Sequence, residues 1–114
     1  MSLSKLDVLI AHHCETLKEM MNELTKLYRQ GSSSGLPDAH TMGVLHKIKG
    51  SSGTIGFMNV NAAAASLEAL LQASAANGWE RDAYRCEIEK HLMSLENLVR
   101  EIRPEQSSLF GRKI

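Results

Sequence analysis

Aromatic residues are scarce in this chain: one tryptophan, two tyrosines and two phenylalanines among 114 residues. Strands draw on aromatic and β-branched side chains, so the shortage argues against a β-sandwich. The plentiful Ala, Leu and Met favour helices instead. Neither sign of charge is in excess, since 13 basic residues face 13 acidic ones. A nucleic-acid binder needs a basic face, and none is expected here. No apolar run approaches the roughly 18 residues of a membrane span. The N-terminus is broken by Lys5, Asp7, His12 and His13 and does not read as a secretory signal, so a cytoplasmic protein is expected. Two cysteines occur, Cys14 and Cys86, far apart in sequence. They are expected as free, buried thiols rather than a disulfide. The length fits one domain with a single core.

Apolar residues recur at the spacings of helices. Leu3, Leu6, Ile10, Cys14, Leu17, Met21, Leu24 and Tyr28 predict a long amphipathic helix from about Ser4 to Gln30, ended by the Gly-Ser run 31–35. A second helix is predicted from near Pro37, with Asp38 in its first turn, to about Gly56. A third begins near Asn59 or Asn61, either of which is a good N-cap, and runs through the alanines 62–65 to about Ala76, where Asn77-Gly78 stops it. The fourth runs from about Glu80 to Arg103 with Tyr84, Ile88, Leu92, Leu95, Val99 and Ile102 in stripe, and Pro104 closes it. Residues 105–114 have weak pattern and are expected to form a mobile tail after a domain of residues 1–104. Four amphipathic helices with short connections predict an all-α, antiparallel up-and-down four-helix bundle.

The second helix carries a conflict. Residues 50–56 hold three glycines and three hydroxyl residues, a composition that propensity assigns to a loop. Yet a projection at about 100° per residue brings Val44, Ile48 and Ile55 together on one side, which argues for continuing the helix. His46 falls on the opposite side, exposed, with Gly43, Gly50 and Gly53 within about 60° of arc and Lys49 close by, one turn on. Each interior glycine costs roughly 0.8–1 kcal/mol relative to alanine, so several on one face ask for a reason. A closely approaching partner is one, because glycine lets another surface reach the backbone.

The pattern His-x-x-Lys-Gly-Ser-Ser-x-x-x-Gly, from His46 to Gly56, resembles the signature of histidine phosphotransfer (HPt) domains. The run from Lys49 to Phe57 is similar in particular to the N-terminal phosphotransfer domain of chemotaxis histidine kinases, and the Leu67-Glu68 pair matches the family's habit of an acidic or amide residue on the next helix. The resemblance implies that His46 is the phosphoacceptor and that Glu68 orients its imidazole. It also implies partners: receiver domains of response regulators and a sensor or hybrid histidine kinase. Two flanking positions depart from the family's small residues, being Leu45 and Lys47, and a second histidine of the chemotaxis domains is replaced by Ala65.

The residues support the same chemistry. Imidazole titrates near neutrality and is a competent nucleophile. Phosphoryl transfer needs positioning and charge balance, which the Lys49 ammonium can supply. If Glu68 reaches His46, it accepts from the Nδ1–H and leaves Nε2 free. Met42, Gly43, Leu45, Lys47, Gly50, Gly53 and Phe57 are expected to form the receiver's docking surface. No cofactor is expected on this chain, and Mg²⁺ is expected on the receiver. A di-metal bundle site would need paired Glu-x-x-His motifs, which are absent. Nucleotide-binding glycine motifs are absent as well, so no kinase module and no enzyme turnover are expected. A monomer is expected. Two alternatives stand beside the carrier reading: a phosphorylation domain of a larger sensor or chemotaxis-type kinase, and a binding-only helical adaptor.

Overall fold

The computed structural model describes residues 5–31, 39–76 and 81–111. Among these the chain forms four α-helices, α1 (Lys5–Gly31), α2 (Ala39–Thr54), α3 (Met58–Ala76) and α4 (Arg81–Arg100), followed by a 3₁₀ turn at Pro104–Gln106. Leu3, Pro37, Asp38, the 32–35 run, Asn77, Gly78, Glu80 and the side chain of Tyr84 lie outside the described residues.

Each helix packs against its sequence neighbour, and α1 also packs against α4. Contacts across the pairs run in opposite directions. Glu23 near the end of α1 meets His40 at the start of α2, while Asn61 and Glu68 of α3 meet Lys49 and His46 of α2 in reverse order. The expected four-helix bundle is therefore present. Its core includes the predicted stripes: Ile10, Cys14, Leu17, Met21 and Leu24 from α1, Val44 and Ile48 from α2, Leu67 and Leu71 from α3, and Ile88, Leu92, Leu95 and Val99 from α4. Both cysteines are free, but Cys86 is exposed and only Cys14 is buried. Burial pushes the Cys14 thiol above its ordinary value. No described helix is long and apolar enough to cross a membrane.

The conflict in α2 resolves in favour of helix. Thr41, Val44, Leu45, Ile48 and Ser52 are buried along it. The three glycines cost about 1 kcal/mol each, whereas full burial of Leu45 and of Ile48 returns about 1.5–3 kcal/mol apiece. Ser52 is accommodated in the core because its hydroxyl donates to the Ile48 carbonyl at 2.7 Å, leaving no unpaired polar atom.

The helix ends two residues before Gly56. Gly56 has φ +89°, and its N–H bonds the Gly53 carbonyl while that of Phe57 bonds the Ser52 carbonyl at 2.8 Å. These two bonds are a Schellman cap, which requires the left-handed conformation that glycine adopts without strain. Reversal of the chain there turns Phe57 into the core and starts α3 at Met58. Asn59 and Asn61 thus lie inside the first turn rather than capping it, and the Asn61 N–H bonds the Phe57 carbonyl.

The tail expected to be mobile is docked as far as Gly111. Ser107, buried, donates to the Ile55 carbonyl at 2.6 Å. The Ser108 N–H bonds the Gly56 carbonyl, and the Gly111 N–H bonds Asp7 Oδ1 at 3.0 Å. Leu109 and Phe110 pack on the core edge. Weak hydrophobic period hid this strap because its anchors are backbone groups and serines.

Gly43 and Gly56 therefore respond oppositely to alanine. A Cβ on Gly56 meets Ser107 Oγ and Ser108 Oγ within 2.8 Å in a strained backbone. Gly56→Ala is expected to cost about 2 kcal/mol or more, lowering Tm by roughly 10 °C. A Cβ on Gly43 meets nothing within 4 Å, so Gly43→Ala is expected to gain about 0.8 kcal/mol. Thermal unfolding of the two variants checks both signs.

Candidate functional site

His46 stands on the outer face of α2. It lies about 160° around the helix from Ile48, pointing away from the core. Its side chain is 71% exposed, yet its Nδ1 lies 3.0 Å from Glu68 Oε2, whose own side chain is only 11% exposed. The second carboxylate oxygen, Oε1, accepts from the Lys49 ammonium at 2.8 Å. One carboxylate therefore bridges two residues of α2 from its place on α3.

This arrangement fixes the protonation pattern. The Lys49 hydrogen bond holds the Glu68 carboxyl below its ordinary value; burial opposes this, and the bond from His46 adds to it. An ionised carboxylate only accepts, so Nδ1 must carry the proton it shares with Oε2. In the neutral ring Nε2 then bears a lone pair directed at solvent. Nε2 is then the second nitrogen of an exposed ring whose tautomer is set from beneath by Glu68.

A second α3 contact lies two turns away. Asn61 Nδ2 donates to the Lys49 carbonyl at 2.8 Å. Asn61, Ala65 and Glu68 fall on one stripe of α3. Ala65 on that stripe is half-buried.

The family model for the Hpt domain matches residues 6–105. The chain belongs to the Hpt domain family. No curated protein and no solved structure matches it. Membership means that the domain is a phosphocarrier of the histidine phosphotransfer type, working in a phosphorelay.

The other residues expected at the docking surface divide into four groups. Gly43, Lys47 and Gly50 are exposed, and a Cβ at either glycine would meet nothing within 4 Å. Met42 is half-buried and packs on the core. Leu45 and Phe57 are corrections: they are 0% and 2% exposed and belong to the core. Leu45 lies only about 60° around the helix from Ile48, and α2 is flanked by both α1 and α3, so its buried arc is wide enough to include it. Phe57 is carried inward by the Gly56 cap. Gly53 is also a correction, because it is half-buried and faces Asn61 rather than open solvent. Asn61 itself was missed, since an asparagine near a helix start reads as a cap. The spacing of seven residues to Glu68 could have placed both on one face. Among the described residues no group of three or more His, Cys, Asp or Glu is arranged to hold a metal ion.

The carboxylate bridge has a pH signature. Because the folded Glu68 titrates below the ordinary value of 4.5, its stabilisation is fully present above that pH and is lost as pH falls through the lower folded value. A ¹³C titration of the Glu68 side-chain carboxyl is expected to give a midpoint below 4.5 in the native protein. Lys49→Met is expected to raise that midpoint; an unmoved midpoint would show that the ammonium does not set it.

Proposed function

We propose that this domain is a carrier that accepts a phosphoryl group on His46 Nε2 from one receiver aspartate, or from a histidine kinase, and passes it to the aspartate of a second receiver. The single observation that carries this reading is the Glu68–His46 bond, which protonates Nδ1 and leaves an exposed Nε2 lone pair. In the forward step that lone pair attacks phosphorus, a P–N bond forms, and the aspartyl oxygen leaves as a carboxylate. Transfer onward reverses these bonds on a second carboxylate. The domain supplies position and the Nε2 lone pair, and Mg²⁺ bound by the receiver would supply charge balance for the phosphoryl oxygens.

Lys49 serves charge balance in this scheme. In the unphosphorylated domain its ammonium rests on Glu68, one helical turn from His46, and a dianionic phosphoryl on Nε2 competes for it. The bare surfaces of Gly43 and Gly50 let the receiver's active-site mouth approach α2 closely, with Lys47 giving orientation at the edge. A carrier that must release each partner suits a small, transient interface. The domain turns over no substrate of its own and works as a cytoplasmic monomer, whether alone or as one domain of a larger kinase.

The test is a phosphotransfer assay with a phosphorylated receiver and Mg²⁺. Acid-labile, base-stable label is expected on the wild type and none on His46→Gln. Glu68→Ala is expected to slow transfer by about tenfold or more, the cost of one charge-assisted orienting bond. Receiver binding without label on the wild type, or equal label on His46→Gln, would replace the carrier with a binding-only adaptor.

A further inference from the structure

Gly53 and Asn61 form a contact that the carrier scheme does not use. A Cβ built on Gly53 lies 2.9 Å from Asn61 Nδ2 and 3.5 Å from its Cγ. The amide therefore occupies the volume that any other residue at position 53 would fill. From that seat Nδ2 reaches across the helix interface to the Lys49 carbonyl at 2.8 Å. Lys49 is thereby held at both ends by α3, its carbonyl by Asn61 and its ammonium by Glu68 at 2.8 Å.

The geometry points to Asn61, seated on Gly53, as a positioning residue for His46: it sets the register of α3 against α2 so that the Glu68 carboxylate meets Nδ1. This inference rests on the phosphoacceptor role of His46. Its physical basis is leverage. Asn61 and Glu68 lie on the same face of one rigid helix, two turns apart, or about 10 Å along the axis. A slide of α3 along α2 by two residues' rise, about 3 Å, would open the Glu68–His46 bond beyond hydrogen-bond range. Apolar contacts along α3 resist separation of the helices but tolerate sliding, because they are not directional. A side-chain amide on a fixed carbonyl is directional and does not tolerate it. Glu68 makes two further polar contacts from α3 to α2, and Asn61 is the point two turns away from which its carboxylate is aimed. Gly53 is glycine for this reason and not to clear a docking surface.

The experiment combines ¹⁵N spectra of the His46 ring with single-turnover transfer to a receiver at saturating and subsaturating concentrations. The variants are Asn61→Ala, Asn61→Asp, Gly53→Ala and the double variant Gly53→Ala/Asn61→Ala. Asn61→Asp keeps the side chain's size and removes the donor, so it carries the test if Asn61→Ala unfolds. Loss of the pin is expected to shift the ring toward the Nε2–H tautomer and to lower the saturating rate by about tenfold, with the receiver concentration at half-maximal rate within about twofold of wild type. Gly53→Ala is expected to reproduce this with Asn61 still present, because its methyl displaces the amide. The double variant is expected to be no worse than Asn61→Ala alone, since both changes remove one contact. Wild-type tautomer and saturating rate in Asn61→Asp and Gly53→Ala would overturn the inference and leave the carrier reading intact. Absence of His46 phosphorylation in the wild type would overturn both.

Discussion

One carboxylate, that of Glu68, organises the contact between α2 and α3 around His46. Its two oxygens take two donors from α2, the His46 ring and the Lys49 ammonium. Each bond makes the other more effective. The ammonium keeps the carboxylate ionised despite its burial, and an ionised carboxylate accepts the Nδ1 proton without ambiguity. A glutamate so little exposed would be costly if left unpaired. The bridge therefore requires α2 and α3 to meet at one register, and Gly53, set against Asn61 of α3, gives room for that approach.

The glycines of the motif do different physical work. Gly43 and Gly50 are open outward and lower the helix surface around His46, at a cost in helix stability that the buried face of α2 offsets. Gly53 is turned toward α3 and gives room to an amide. Gly56 supplies a backbone conformation, φ +89°, that closes the helix and turns the chain. A composition that suggests flexibility is thus divided among surface access, interhelical packing and a rigid corner.

That corner is held from below. The strap after α4 places Ser107 and Ser108 against Ile55 and Gly56 and ends on Asp7 at the start of α1. It ties the α2–α3 turn to the start of α1, so the α2–α3 pair is anchored at the end where the chain reverses. Directional bonds to backbone carbonyls do this with few apolar contacts, and hydrophobic period alone cannot reveal it.

Periodicity decided much of this protein before any tertiary contact is considered. The stripes of α1 and α4, the buried positions Val44, Ile48 and Ile55, and the outward direction of His46 follow from about 100° per residue, because a helix converts spacing directly into angle. The His46–Gly56 pattern pointed to the phosphocarrier class for a similar reason, since it fixes residue types along one helix. Tertiary structure alone decided what lies between helices. Whether Leu45 faces solvent or core depends on how many neighbours flank α2. Gly53 is a clearing or a seat according to what α3 puts opposite it. Glu68 reaches His46 only if two helices meet at the right register. Register is a relation between segments distant in sequence, and it is set by directional contacts such as Asn61 on the Lys49 carbonyl, which leave no periodic trace in either helix.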